Sequence, residues 1–315
     1  MAMRVEWGYL TDGLVEGWAE LTNLLAKVDQ TEEFYEAADL AEELVEPGVD
    51  PSQDTIAVSV DGMLVGFGQL RVAMELFEGK ASAWLGGGVH PDYRGCGLGV
   101  RIMDQLEQRA VELAGRRHPA SPVLLKVSGG VEGSSVRPML AHRGYQTIRF
   151  YHELERQLPG EPIPEPALPV QRYAAELAGS TLLAHNDAFS THWGSTPRTE
   201  EQWQDLLASR TFRPEASYVS LAEDGSVDAY VFVRQWVEGE AWIETVGCRQ
   251  RARGRGLARA CLSASLRAAV EQGYRTAALS VDSENGQGAG ALYSSLGFGL
   301  QRVIASYGKL VDAGR

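Results

Sequence analysis

The stretch Trp242–Glu271, WIETVGCRQRARGRGLARACLSASLRAAVE, has the pattern of a strand, a glycine-rich turn and a helix. Its apolar first part leads into the basic turn Arg253–Ala258, RGRGLA, and small or apolar residues then recur at helical spacing. Those residues are Ala258, Leu262, Leu266 and Ala269. The stretch therefore predicts a strand that passes through a tight turn directly into an amphipathic helix.

A second stretch earlier in the chain repeats this plan. Residues Ala83–Ala110, AWLGGGVHPDYRGCGLGVRIMDQLEQRA, contain the turn Arg94–Gly99, RGCGLG, followed by apolar residues at helical spacing. Arg94 and Arg253 are 159 positions apart in a chain of 315 residues. A repeat of about half the chain indicates duplication of a whole domain, because solenoid repeats are much shorter.

The backbone of such a turn is suited to binding an anion. A helix start leaves several N–H groups without partners and carries the positive end of the helix dipole. A turn with little side-chain bulk lets a phosphate approach these groups, so a pyrophosphate is the expected ligand. The dinucleotide fingerprint needs a third glycine, but Val100 and Arg259 stand at that place. A nicotinamide oxidoreductase is therefore disfavoured.

Composition limits the possible classes of protein. The chain has 44% hydrophobic and 23% charged residues and a net charge of -13, which predicts a globular protein and disfavours nucleic acid as a partner. It shows no apolar run of membrane-spanning length and no signal-peptide core, so we expect a cytoplasmic protein without a membrane partner. Cys96, Cys248 and Cys261 lack metal-ligand spacing, so no metal site is expected. We expect a monomer or homodimer.

The proline-rich segment Leu158–Pro169, LPGEPIPEPALP, is unsuited to helix or strand and predicts a linker. We therefore predict an N-terminal domain at 1–157, a linker at 158–169 and a C-terminal domain at 170–315. The order of strand-like and helix-like runs is the same on both sides of the linker. The expected fold class is α/β with a mixed sheet in each domain.

The Arg-x-x-Gly-x-Gly/Ala turn, present twice, resembles the loop that grips the coenzyme A pyrophosphate in the GNAT superfamily of N-acetyltransferases. The resemblance implies two tandem GNAT-like acyl-CoA N-acyltransferase domains and acetyl-CoA as the acetyl donor. It places cofactor-binding residues in the second half at Val246, Gly247, Cys248, Arg253, Gly254, Arg255, Gly256, Leu257 and Ala258. In the first half the corresponding residues are Val89, Arg94, Gly95, Cys96, Gly97, Leu98 and Gly99.

The same resemblance assigns catalytic residues to the second half only. Glu244, nine residues before Arg253, is the expected base, and Tyr293, four before Gly297, is the expected acid. Asn285 is expected either to contact coenzyme A or to cap the following helix. The matching places in the first half hold Leu85, Leu140 and Glu132, so that domain is predicted to be catalytically degenerate.

The acceptor is expected to be a primary amine of a small molecule. The two-domain length and the runs Val281–Asn285 and Leu292–Phe298 resemble the mycothiol synthases of this superfamily, which acetylate the cysteinyl amine of a pseudodisaccharide. The resemblance places acceptor-pocket residues at Asn186, Phe189, His192 and Trp193. Alternatives are an aminoglycoside or peptide N-acetyltransferase, or an acyl-CoA-binding regulatory protein without turnover.

Overall fold

The computed structural model describes residues 4–284 and 288–312. These form two compact units, one of residues up to Phe150 together with the segment from Val303, and one of Tyr151–Arg302. The division differs from the sequential boundary at residue 157 predicted above. It falls inside two long strands, Gln146–Gln157 and Gly299–Val311, each of which begins in one unit and ends in the other.

The first unit is a sheet with helices packed against it. Its helices are α1 (Val15–Val28), α2 (Ala37–Leu44), α3 (Pro51–Asp54), α4 (Leu98–Arg117) and α5 (Val136–His142). Its strands are β1 (Val5–Gly8), β2 (Thr55–Val60), β3 (Met63–Val72), β4 (Ala81–Val89), β5 (Val123–Ser128) and the end of the last strand, β12 (Gly299–Val311). They are ordered β1-β2-β3-β4-β5-β12, with β4 and β5 parallel and the other pairs antiparallel.

Local sequence explains the main turns of this unit. Asp61 and Gly62 both take positive φ, 49° and 86°, which is the geometry of a two-residue hairpin turn between β2 and β3 and suits an Asp-Gly pair. The predicted apolar stripe of α4 is confirmed, since Ile102, Leu106 and Ala110 are buried in the core. The strand and the helix predicted around the first glycine turn are therefore both present.

The second unit repeats this layout. Its helices are α6 (Ala178–Phe189), α7 (Glu200–Ala208), α8 (Leu257–Glu271) and α9 (Ala289–Ser294). Its strands are the end of β6 (Gln146–Gln157), β7 (Gln171–Arg172), β8 (Tyr218–Leu221), β9 (Val227–Arg234), β10 (Glu240–Cys248) and β11 (Thr276–Asp282). They are ordered β6-β11-β10-β9-β8-β7, with only β10 and β11 parallel.

Alternate residues of β9 enter the two cores of this unit. Val231 and Val233 pack in the cluster that contains α8, whereas Tyr230 and Phe232 pack with residues of α6 and α7. This is the period-two pattern of a strand covered on both faces. Side chains of β10 that share a face with Tyr230 are consequently close to α6.

The predicted linker has no helix or strand between residues 158 and 170, as expected from its prolines. It is nevertheless packed on its own unit. Leu158 is buried, Ile163 and Leu168 lie against the α8 core, and Arg267 of α8 donates a hydrogen bond to the Ile163 carbonyl. The segment is therefore held by apolar and polar contacts.

No helix within residues 4–284 and 288–312 combines the length and apolar character needed to cross a bilayer. The same residues contain no group of three or more histidine, cysteine or carboxylate side chains placed to hold a metal ion.

Candidate active site

The turn after β10 presents its main chain to open space. Gly254 and Gly256 have φ of +74° and +83°, conformations that residues with a Cβ rarely adopt. Helix α8 then begins at Leu257 without a side-chain cap. In the described part of the chain, the amides of residues 254–258 donate to no other protein group. A Cβ added at Gly254 would meet nothing within 4 Å. These amides and the helix dipole are suited to binding an anion.

The arginines of this turn have different roles. Arg251 donates to Asp228 Oδ1 (3.0 Å) and to Ser226 Oγ (2.9 Å), and Arg253 donates to the Ala188 carbonyl (2.8 Å). Arg255 is 63% exposed, with its nearest carboxylate, Asp228, 3.9 Å away. Arg251 and Arg253 therefore hold the turn in place, whereas the side chain of Arg255 is more exposed than that of Arg251, at 63% against 53%.

Strands β10 and β11 separate before the turn is reached. Their parallel pairing extends only from Glu240 to Trp242, although β10 continues to Cys248 and β11 to Asp282. Beyond Trp242 that edge of β10 therefore has main-chain groups with no partner on β11 among the described residues. A slot between two strands that ends at an anion-binding turn suits an extended ligand with a phosphate at one end.

Glu244 lies at a bulge in β10 beside this slot. Its neighbours Ile243 and Thr245 pair with the consecutive residues Val233 and Phe232, so Glu244 is the extra residue in the ladder. A bulge redirects side chains and ends regular pairing. Glu244 is half-buried, and its carboxylate acts electrostatically on the phenol of Tyr230, on the α6 face of the sheet. The bulge thus places a carboxylate at the opening.

Tyr293 of α9 is the second predicted catalytic residue. It is 8% exposed and packs edge-to-face against Phe298, with ring centroids 5.9 Å apart. Burial raises the pKa of its phenol to about 12, so the hydroxyl stays protonated at neutral pH. Asn285, the third predicted residue, lies outside the described residues.

Comparison with known proteins decides the family. A model described as the acetyltransferase (GNAT) family matches residues 18–118 and 181–298, which together exceed half of the chain. This chain belongs to the GNAT acetyltransferase family. Enzymes of this family use acetyl-CoA. The resemblance, the mixed α/β fold with two GNAT-like regions and the assignment as an acetyl-transferring enzyme are thereby confirmed.

Individual relatives agree with this assignment. The mycothiol acetyltransferase of Streptomyces coelicolor is 29% identical over 245 residues, covering 75% of this chain and 73% of that protein. The mycothiol acetyltransferase of Nocardiopsis dassonvillei is 27% identical over 272 residues, covering 78% and 79%.

Solved structures share the fold. A GCN5-related N-acetyltransferase from Sphaerobacter thermophilus is 24% identical with a TM-score of 0.75, covering 98% of this chain and 96% of that chain. A tandem GNAT protein from the clavulanic acid biosynthesis pathway is 17% identical with a TM-score of 0.71, covering 99% of each chain. The tandem arrangement is therefore found at full length in another protein.

The first unit repeats the turn, but leucines stand at the places that correspond by spacing to Glu244 and Tyr293. Gly95 and Gly97 have φ of +75° and +83°, and no atom lies within 4 Å of a Cβ built at either. Arg94, however, is turned away and forms two hydrogen bonds with Asp29 of 2.9 and 2.6 Å. Strands β3 and β4 pair without a bulge through the buried Leu85, the counterpart of Glu244. Leu140, the counterpart of Tyr293, is also buried.

The segment predicted to shape the acceptor pocket lies partly in α6, which contains Asn186 and Phe189, and partly in the loop after it, which contains His192 and Trp193. The side-chain amide of Asn186 exchanges two hydrogen bonds with the main chain of Arg198, of 3.1 and 2.9 Å, and so fixes the loop. The ring of Phe189 lies between those of His185 and His192, with centroid distances of 4.7 and 5.6 Å. Nδ1 of His192 is 3.2 Å from the carbonyl oxygen of Trp193.

Sequence reasoning missed a buried pair on this face of the sheet. The hydroxyl of Tyr230 and Nδ1 of His185 share a hydrogen bond of 2.6 Å. The ring of Tyr230 lies over Gly247, where a Cβ would collide with it. Burial, together with the charge of Arg198, lowers the pKa of His185 to about 3, so the imidazole is neutral at neutral pH. No sequence signal separates Tyr230 from its apolar neighbours, because the whole of β9 is strand-like.

The buried neutral histidine predicts acid sensitivity. The unfolded chain protonates His185 near pH 6.5, whereas the folded protein does so only near pH 3. The free energy of unfolding therefore decreases as the pH is lowered from 6.5 to 3. Between pH 6.5 and pH 5 the protein loses about 2 kcal/mol of unfolding free energy through this histidine, at about 1.4 kcal/mol per pH unit. Urea unfolding at pH 7 and 5 measures it. We expect a smaller pH dependence in His185→Gln but not in the exposed-site control His142→Gln; an unchanged dependence in His185→Gln would contradict the prediction.

Proposed function

We propose that this protein transfers an acetyl group from acetyl-CoA to a primary amine of a small molecule. The opening between β10 and β11 beyond Trp242, which ends at the uncapped start of α8, carries this proposal. The slot matches the extended pantetheine arm of the donor, and the turn Arg253–Ala258 matches its pyrophosphate. Main-chain groups of residues 246–248 line the edge of β10 at which the thioester would bind.

Glu244 is the proposed general base. An ammonium group is not a nucleophile, so the acceptor must lose a proton before its nitrogen attacks the thioester carbonyl. The bulge puts a carboxylate beside the unpaired edge of β10, where the thioester is proposed to bind. The new C–N bond then forms as the C–S bond breaks. Glu244 retains the first proton directly or through a water molecule, and the second proton, which the nitrogen loses as it becomes an amide, passes to the departing sulfur.

Tyr293 is the proposed general acid for the departing thiolate. A thiol has a pKa near 8.5, below the value of about 12 for this phenol, so complete proton transfer from Tyr293 to sulfur is uphill. The phenol therefore mainly stabilises the developing negative charge through a hydrogen bond as the C–S bond breaks. Removing the Tyr293 hydroxyl should therefore lower the rate less than removing the Glu244 carboxylate.

Replacing Tyr293 with phenylalanine tests that role. We expect Tyr293→Phe to lower kcat by about 10- to 100-fold while the KM for acetyl-CoA changes less than about twofold, because the ring and its packing remain. The control is Tyr274→Phe in the same unit, whose hydroxyl bonds to Gln235 Oε1 at 3.1 Å. Equal kcat in wild type and Tyr293→Phe would contradict the proposed role of the Tyr293 hydroxyl at the departing thiolate.

Direct transfer within a complex of both substrates is supported over a covalent acetyl-enzyme. Cys248 is the thiol closest to the proposed thioester position along β10. Burial raises the pKa of this thiol, and the thiolate is the form that would have to attack. No histidine stands within fifty residues after it or twenty before it to act as its base.

The first unit has a structural or coenzyme-binding role in this proposal. Its turn Arg94–Gly99 has the same backbone form, but leucines replace the acid and base. Val89, at the end of β4, accepts a hydrogen bond from Arg94 Nε (3.0 Å), which holds the turn against its strand.

A thiol-release assay with acetyl-CoA tests the proposed function. The acceptor panel should hold simple amines, amino acids, peptides, aminoglycosides and a cysteinyl sugar, since two relatives are named as mycothiol acetyltransferases. Thiol release that requires one class of amine, together with an acetylated product identified by mass spectrometry, is the expected result. Acetyl-CoA binding without release across the whole panel would instead favour a regulatory binding protein.

A further inference from the structure

Gly247 on β10 lies beneath the ring of a wholly buried tyrosine. Gly247 and Tyr230 are direct partners in the ladder between β10 and β9. A Cβ built at Gly247 would overlap Cε1 of Tyr230 and lie 2.7 Å from its Cζ. The tyrosine ring therefore occupies the space in which any other residue type would place its side chain at this position of β10.

This glycine joins two peptide groups that border the slot between β10 and β11. The amide of Arg249 donates to the Asp228 carbonyl at 2.8 Å, so the main-chain groups of residues 249 and 247 point towards β9. Because bonding alternates along an antiparallel pair, the Val246 carbonyl and the Cys248 amide point towards the slot. In the described part of the chain, β11 pairs with β10 only as far as Trp242. The conformation at this glycine, the residue type with the widest backbone freedom, therefore sets the direction of both groups.

The ring of Tyr230 is itself held by α6. Its hydroxyl and His185 Nδ1 share a hydrogen bond of 2.6 Å. The His185 ring packs on those of Phe189 and Trp203, with centroid distances of 4.7 and 5.0 Å. Tyr230 and His185 are 0% and 6% exposed, so rotation of either ring would leave a buried polar group without its partner. Because such a loss is unfavourable, the pair restricts the tyrosine ring to one orientation over Gly247.

We propose that Tyr230, oriented by His185, is a positioning residue that fixes the Gly247 main chain and thereby aims the Cys248 amide at the thioester. This inference rests on the proposed function, in which the thioester binds at that edge of β10. An amide aimed at the thioester carbonyl oxygen stabilises the negative charge that develops there as the amine attacks. This stabilisation depends on distance and direction, so a small movement of Gly247 should lower the rate of transfer more than the affinity for acetyl-CoA.

Tyr230→Phe tests the orientation because it keeps the ring and removes the hydroxyl. We expect kcat to fall by about tenfold or more, while the dissociation constant of acetyl-CoA, measured by calorimetric titration, changes less than about threefold. The coenzyme diphosphate is proposed to bind at the separate turn Arg253–Ala258, which this substitution leaves unchanged.

The matched control is Tyr173→Phe in the same core cluster. Tyr173 is 6% exposed and packs on Phe232 with ring centroids 5.0 Å apart. Its hydroxyl has no hydrogen-bond partner among the described residues. This substitution therefore removes a buried hydroxyl without breaking a hydrogen bond, and we expect wild-type kcat.

Substitutions of His185 test the same hydrogen bond from its other side. His185→Asn keeps a polar atom near the position of Nδ1, whereas His185→Leu offers none. We expect His185→Leu to lower kcat as much as Tyr230→Phe does, and His185→Asn to recover most of that loss. The double variant Tyr230→Phe/His185→Leu should lose no more than either single variant, because both substitutions break one shared interaction.

Thermal unfolding of each variant establishes that the unit is folded, and if Tyr230→Phe does not fold, the two His185 variants decide. Wild-type kcat in folded Tyr230→Phe, or equal kcat in His185→Asn and His185→Leu, would overturn the inference and leave the acetyltransferase assignment intact. A loss of acetyl-CoA affinity as large as the loss of kcat would also overturn it, because the pair would then have only a structural role. Absence of thiol release by the wild-type protein with every amine would overturn the proposed function together with this inference.

Discussion

Glu244→Gln should lower kcat for acetyl transfer by about 10²- to 10⁴-fold and leave the affinity for acetyl-CoA within about twofold. The substitution keeps the shape of the side chain at the bulge but removes the group that accepts the ammonium proton. The donor is proposed to be held by main-chain groups of β10 and the turn, so its binding does not depend on this carboxylate. Initial rates with both substrates varied, together with calorimetric titration of acetyl-CoA, measure the two quantities separately.

The matched control is Glu240→Gln on the same strand. Glu240 pairs with Thr276 in the parallel part of the β10–β11 ladder, before the two strands separate. We expect near wild-type kcat in that variant. The remaining rate of Glu244→Gln should increase with pH, because a larger fraction of the acceptor amine is then already deprotonated. Equal kcat in Glu244→Gln and wild type would show that another group takes the proton.

The sequence predicted the repeated unit because its strongest signals are local. A strand, two glycines at positive φ and an amphipathic helix occur within thirty residues in each half, and the structure has them at both places. The Asp61–Gly62 hairpin is likewise set by the preferences of two adjacent residues. Glu244 was also predicted correctly to lie on the strand before the turn, because it is only nine residues before Arg253.

Features that depend on distant contacts were beyond the sequence. The last strand of the first half, Gln146–Gln157, pairs with β11, and the last strand of the second half, Gly299–Val311, pairs with β5. Nothing in the sequence of either strand specifies that pairing. The bulge at Glu244 is a register shift against β9, which no local pattern predicts. His185 and Tyr230 are 45 positions apart and come together through the packing of α6 on β9.

The two glycine turns permit a second strong prediction, because they are nearly identical in form. Gly256 and Gly97 both have φ of +83° immediately before a helix, and both have room for a larger side chain. Valine at either place is strained by about 1–3 kcal/mol in this conformation, since its Cβ crowds the backbone. Relief of that strain moves the main-chain amides at the start of the following helix. Each substitution should therefore weaken anion binding at its own turn and leave the other turn unchanged.

Turnover of Gly256→Val and Gly97→Val, compared at equal acetyl-CoA and verified for folding by thermal unfolding, tests the central claim that chemistry belongs to the second unit. We expect Gly256→Val to raise the KM for acetyl-CoA by about tenfold or more, while Gly97→Val acetylates amines at close to the wild-type rate. Wild-type turnover in Gly256→Val together with loss of turnover in Gly97→Val would contradict the claim.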